Sequence, residues 1–346
     1  MPGNLLLLMW VILLAAGIGA MQWGTSRAST ALDAYRARAG LRATVAGALL
    51  GVATAAPEIS VNLASVAFGW PDLGLGTALG SNVPALPLVF LIAWLSLRLT
   101  SARAAGTTTG SLRPGPTGAA STGETATPVV AVAAVTVQAL PYLLVVMLLA
   151  GLTLPPGWAG LQPLDALLLL VAWGVYLARA LLRPRWAAEP SPRVKISIDR
   201  ATLLAGPAIA LGALASVVAA QRLGGTFGAS DLVVGLFGIG LLCALPESFA
   251  AWGLTREGKT TIAVSTAMAD GIVSLTVALV PPALAGTMVG DVPLYLANLA
   301  FLGFALVSYI GLNHFRWGQE LSLTRISIFV GGYVVYLVTV ACLLAR

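Results

Sequence analysis

Charge is what this sequence has least of: charged side chains make up 9% of its 346 residues and hydrophobic ones 58%. A soluble domain carries roughly 25% charged residues, so this composition excludes a water-exposed globular fold and points to a membrane protein. Cysteine is nearly absent as well. Cys243 and Cys342 both lie inside apolar segments, which leaves no disulfide framework to expect. The one histidine, His314, stands close to Arg316 at a span end and reads as an interfacial residue. Basic residues are missing ahead of the first apolar segment. A secretory signal peptide normally has them, so the segment is expected to remain as a span despite the small pair Gly19-Ala20.

Long apolar runs are abundant. Ten of them approach or exceed the ~20 residues needed to cross a bilayer, near 3–22, 41–67, 72–98, 128–151, 160–182, 200–219, 230–254, 259–286, 291–312 and 325–345. Net charge is +6, and the distribution of the basic residues is more informative than its sign. The odd-numbered loops hold 17 basic residues, from Arg27 in the first to Arg325 in the ninth, whereas the other side holds two, Arg222 and Arg346. This asymmetry is a positive-inside signal. It predicts a multi-pass protein of the cell membrane with both termini outside. The basic loops then face the cytoplasm and anionic headgroups rather than nucleic acid. Trp10, Trp23, Trp70 and Trp317 fit interfacial aromatic belts.

The expected architecture is an all-α integral membrane protein of about ten transmembrane helices in two inverted five-helix halves. Spans one to three fill residues 1–100, a flexible Gly/Ser/Thr/Pro-rich linker follows at 101–127, and spans four and five occupy 128–182. A basic connection covers 183–199, and spans six to ten fill 200–346. The halves share a repeat: residues 44–85 lie over 233–274 at a constant offset of 189, which sets Pro57-Glu58 on Pro246-Glu247. The first copy starts inside after Arg42 and the second starts outside near Asp231, so the two cross the membrane in opposite directions. Such inverted repeats build many secondary transporters, with ion sites near the midplane where the repeats meet.

Glu58 and Glu247 lie deep in spans two and seven. A carboxylate at that depth costs about 2.5–3.5 kcal/mol on insertion scales, so it is expected to face a cavity, a partner or an ion. Each follows a proline, which has no N–H for the carbonyl four residues earlier. The carbonyls of Ala53 and Leu242, with Cys243 next to the latter, are thereby candidate ligands. Thr54 is one turn before Glu58 on the same helix face. Carboxylates, carbonyls and hydroxyls form an all-oxygen set suited to a hard cation such as Ca²⁺, and Na⁺ fits the same oxygens.

These motifs resemble those of the calcium/cation antiporter superfamily, of which the prokaryotic-type sodium/calcium exchangers are a branch. The first copy carries the likeness in Ala53-Thr54-Ala55-Ala56-Pro57-Glu58 and in the run from Asp72 to Gly80-Ser81-Asn82. The resemblance implies a secondary antiporter with no resident cofactor, exchanging Ca²⁺ or a similar cation for Na⁺ or H⁺ by alternating access. It also implies that Glu58, Glu247, Thr54 and Ser81 bind the transported ions. The loops are too short for a separate calcium-sensing domain.

The sequence departs from the family pattern at several ligands. Ala55 and Ala85 stand where the family has Ser and Asn, and Cys243-Ala244 stands where it has Thr-Ser. Asp270 replaces the serine equivalent to Ser81, and Ser274 replaces the usual Asp or Asn. Asp270 and Ser274 therefore join the expected ion ligands, with Asn62, one turn beyond Glu58 on the same face, as either a further ligand or a donor behind them and Asn82 as a donor behind them. The losses fall on hydroxyls and amides, which a Na⁺ site needs and a proton site does not. A proton needs only a carboxylate, and burial beside like charges favours its protonated form. Proton coupling is thus expected at least as readily as sodium coupling. A degenerate, non-transporting relative and an intramembrane enzyme with a carboxylate pair are the competing classes.

Other features have structural readings. Gly47/Gly51 and Gly76/Gly80 are spaced for close helix packing. Pro84 and Pro87 either kink span three or free the carbonyls of Gly80 and Val83. Asp72, Asp231 and Asp291 are expected as outer-side caps or as an access funnel. Spans one and six are the candidates for the moving helices.

Overall fold

A computed structural model describes residues 3–39, 51–107, 132–155, 157–182, 200–256, 260–314 and 323–345. The bulk of the expected linker, the basic connection at 183–199, the start of the first repeat with Arg42 and Gly47, and Arg316, Trp317 and Arg346 lie outside the described residues. The principal helices are α1 (Gly3–Ala39), α2 (Ala56–Ala67), α3 (Pro71–Thr107), α4 (Val132–Thr153), α5 (Pro163–Leu182) and α6 (Ala205–Phe227). They continue with α7 (Leu241–Arg256), α8 (Thr260–Ser274), α9 (Val280–Leu284), α10 (Val292–His314) and α11 (Leu323–Leu344). Among the described residues eight helices are long and apolar enough to cross a membrane. The expected span near 128–151 is α4, whose shorter apolar part is Gln138–Thr153. The one near 41–67 is described from residue 51, as a helical turn at 51–54 followed by α2.

Two helices outrun their apolar segments. α1 continues to Ala39 and α3 runs to Thr107, into the stretch expected as linker. Both extensions are proline-free and rich in alanine, which favours helix even where water replaces lipid. α3 also carries Pro84 and Pro87 inside one uninterrupted helix.

Elsewhere proline breaks the chain. The expected span 259–286 divides into α8, a 3₁₀ turn at Val277–Leu279 and α9. Pro281 and Pro282 have no N–H to offer the carbonyls of Val277 and Ala278. At the break the Thr276 hydroxyl donates to the Ile272 carbonyl at 2.5 Å. The approach to α7 is irregular too: a turn at Asp231–Val233 leads into π-helix over Val234–Gly240. Such π segments recur at functional sites.

α3 is the central helix. It packs on α2, on the π segment and on α7, with α8 and α11 further round. Glycine permits the closest of these crossings. A methyl on Gly240 would meet Gly80 Cα at 2.7 Å, and one on Gly80 would meet the Leu236 backbone, its Cα at 2.7 Å. Gly51 packs more loosely on Ala269, whose nearest atoms would lie 3.3 Å from an added methyl. α1 and α6 form a separate pair through Gly17, Gly24 and Gly212, where an added methyl would strike the backbone of the opposite helix. Leu5, Leu8 and Ile12 on α1 and Val334, Val335 and Val338 on α11 are exposed, as suits helices solvated by lipid.

Four connections meet at one end of the bundle. Gly160, at φ +140, bridges to Met288, and Leu161 N–H donates to the Thr287 carbonyl at 2.7 Å. Asp72 lies 3.8 Å from a methyl position on Gly290 and within reach of the Asp231 charge. Asp231 accepts from Gln221 Nε2 at 2.8 Å, and Asp291 caps α10 by accepting from Leu294 N–H at 3.0 Å.

Candidate functional site: a buried carboxylate trio

The Pro-Glu motifs reach the site by different backbones. In the first half the helix breaks at Ala55, and α2 restarts with Pro57 in its first turn and Glu58 directly behind it. Proline suits that place because its missing N–H would be unpaired there anyway. Glu58 therefore sits at the N-terminal, partially positive end of a half-helix. In the second half Pro246 and Glu247 lie inside continuous α7, and the irregularity has moved upstream to the π segment. Neither Pro57 nor Pro246 can donate, so the helix itself cannot satisfy the carbonyls of Ala53 and Leu242.

These helices bring Glu58, Glu247 and Asp270 together. One carboxylate oxygen from each lies within 4.8 Å of the other two. Glu58 is 1% exposed and Asp270 2%, while Glu247 is half-buried. Ser81 flanks Glu58, and Thr54 and Ser274 flank Asp270. Glu58 Oε2 and Asp270 Oδ1 are buried with no hydrogen-bond partner. Glu58 and Glu247 each feel the Asp270 charge, and Glu247 feels that of Glu58 as well. Two unit charges at that separation repel by about 3 kcal/mol at an effective dielectric constant of 20. Three ionised groups without a counter-ion are thus strongly disfavoured, and a cation or protons relieve the repulsion.

Glu58, Glu247, Asp270, Thr54, Ser81 and Ser274 converge as described. Cys243, one turn before Glu247, is buried and close enough to feel all three carboxylates. Asn62 turns away: its Nδ2 donates to the Glu58 carbonyl at 2.8 Å, and its Oδ1 faces Gly74 on α3. It braces α2 against α3 from behind the trio. Asn82 Nδ2 donates to the Ala78 carbonyl at 2.6 Å, and its Oδ1 accepts from the Tyr142 hydroxyl at 2.6 Å. Sequence reasoning missed Tyr142, which comes from α4, outside both repeats. Its one signal was a polar-tipped aromatic following Pro141 in a largely apolar span.

A sequence model of the family described as "Sodium/calcium exchanger protein" matches residues 9–182, half of the chain. No curated protein sequence matches it. Among solved structures, the chain resembles the sodium-calcium exchanger NCX_Mj soaked with 100 mM Na⁺ and 10 mM Sr²⁺, at 15% identity and a TM-score of 0.58, covering 96% of this chain and 98% of that one. It also resembles native YfkE, at 13% identity and a TM-score of 0.64, covering 96% of this chain and 91% of that one. At such identities the likeness establishes a shared fold.

Proposed function

This chain belongs to the sodium/calcium exchanger family, and we propose that it is a cell-membrane antiporter whose carboxylate trio binds Ca²⁺ or the coupling ions, never both fully. Its class is that of a multi-pass transporter and not an enzyme. The observation that carries the proposal is the trio itself: three acidic groups within 4.8 Å of one another, with buried, unpartnered oxygens on Glu58 and Asp270. An oxygen cluster of that charge suits a divalent hard cation. Exclusive occupancy couples the fluxes, because emptying the trio of one ion leaves repulsion that the other must relieve.

The coupling ion in this proposal is H⁺ at least as readily as Na⁺. Ala55, Ala85 and Ala244 offer no side-chain oxygen, and Cys243 offers sulfur, which costs Na⁺ its ligands and costs a proton nothing. Alternating access across ten spans with both termini outside completes the proposal. Support for the inverted repeat comes from paired contacts. Gly51 packs on Ala269 and Gly240 packs on Gly80, and the offset of 189 that carries Gly51 to Gly240 also carries Gly80 to Ala269. Exchange of partners in this way is what a two-fold relation produces. The paired helices α1 and α6, which meet through glycine, are the proposed sliding unit.

Radiolabelled Ca²⁺ uptake into inside-out vesicles under an imposed Na⁺ or pH gradient tests the proposal. Uptake driven by the pH gradient and lost in Glu58→Gln is expected. A sodium gradient driving robust uptake at clamped pH defeats the proton assignment. No uptake under either gradient, with Glu58→Gln indistinguishable from wild type, defeats calcium exchange altogether.

A further inference from the structure

Tyr142 holds its phenol oxygen beside Gly271, the residue after Asp270, with its proton already committed elsewhere. The direction of its bond to Asn82 is fixed by Asn82 itself. Nδ2 donates to the Ala78 carbonyl at 2.6 Å, so the atom facing the phenol is Oδ1, which can only accept. A phenol has one proton to give, and Asn82 takes it at 2.6 Å. Toward any other neighbour the oxygen presents lone pairs.

Those neighbours belong to the ion site. The Tyr142 hydroxyl lies against Gly271, where a methyl would collide with it and would meet Asn82 Oδ1 at 2.5 Å. The residue before Gly271 is Asp270, and the Asp270 and Glu247 carboxylates both act on the phenol. An oxygen that presents lone pairs within the field of ionised, empty carboxylates adds to their repulsion. A cation, or a proton on one carboxyl, converts the same oxygen into a favourable acceptor. Resting on the exchanger proposal above, we infer that Tyr142 is an ion-binding member of the site. Its oxygen favours the cation-loaded and proton-loaded trio over the empty one, and it supplies from α4 a neutral oxygen where Ala55 and Ala85 supply none.

The fold contains a matched control. Tyr336 donates to Asn298 Oδ1 at 2.9 Å, and Asn298 Nδ2 donates to the Leu294 carbonyl at 2.7 Å. This is the same clasp, joining α11 to α10, with Tyr333 rather than a carboxylate acting on the phenol. Equilibrium binding of ⁴⁵Ca²⁺ to the purified full chain in detergent micelles compares Tyr142→Phe with Tyr336→Phe. Loss of an acceptor to a charged ligand is worth about tenfold in affinity. Tyr142→Phe is therefore expected to raise the dissociation constant about tenfold, with Tyr336→Phe within about twofold of wild type. Wild-type affinity in Tyr142→Phe overturns the inference, as does equal weakening in both variants, which makes the clasp purely structural. Binding needs no gradient. A wild type that binds Ca²⁺ but transports none refutes exchange and leaves this comparison intact, whereas a wild type that binds none overturns the inference as well.

Discussion

Replacing Gly80 with alanine puts a methyl into the closest helix crossing of the protein's centre. That methyl would lie 2.7 Å from both the Cα and the carbonyl carbon of Leu236 and closer still to the Leu236 oxygen. Carbon atoms rest about 3.5–4.0 Å apart, so α3 and the π segment must part by about 1 Å. All three obstructing atoms are backbone, and no rotamer change relieves them. Overpacking of this kind costs about 1–3 kcal/mol. Gly240→Ala inserts its methyl at the same crossing, 2.7 Å from Gly80 Cα. Once one methyl has separated the helices the second costs less, so the double variant should fall short of the sum by about 1 kcal/mol. Gly19→Ala is the control: nothing lies within 4 Å of its methyl position in α1, and helix propensity favours the change by up to about 1 kcal/mol. Unfolding followed by tryptophan fluorescence in detergent reads all four variants. Ser81 follows Gly80 directly, so the separation also shifts the site, and Ca²⁺ uptake is expected to fall roughly 10- to 100-fold in Gly80→Ala. Wild-type stability and uptake in Gly80→Ala would refute the close crossing on which the site's geometry depends.

Further outcomes follow from the same geometry. Glu247→Gln removes a charge from the trio and should abolish Ca²⁺ uptake under either gradient, with the chain still folded by the fluorescence criterion. Cys243→Thr restores an oxygen beside the three carboxylates, and sodium-driven uptake should rise relative to proton-driven uptake in the same vesicles; an unchanged ratio argues that the sulfur position does not set coupling. Acidification should raise half-saturating Ca²⁺, because protons and Ca²⁺ compete for the same three carboxylates. Asp270→Asn should flatten that dependence by about one proton, and an equal slope in both proteins excludes Asp270 from the competition.

The chain's own residues announced much of this arrangement. Hydropathy and the scarcity of charge identified a membrane protein, since each long apolar run must find lipid or another helix. Glu58 and Glu247 were legible because a carboxylate in an apolar span is too costly to occur without a role, and Asp270 because it stood out against the repeat. Gly76 and Gly80 were legible as packing positions by their one-turn spacing. The end of α3 was not, because an alanine-rich extension looks like linker when only hydropathy is weighed. Nor was the break before α9, which depends on how Pro281 and Pro282 compete with a continuous span.

By itself the sequence determined the solvent, the pairing of Pro-Glu motifs and the oxygen chemistry available, because composition, periodicity and repeats are local or additive properties. Only the tertiary structure decided which oxygens share one space. Glu58, Glu247 and Asp270 come from three helices, and Tyr142 joins them from a fourth whose own sequence carries no motif. Helix packing alone brings such groups within ångströms, and at that range repulsion and hydrogen-bond direction become strong enough to choose an ion.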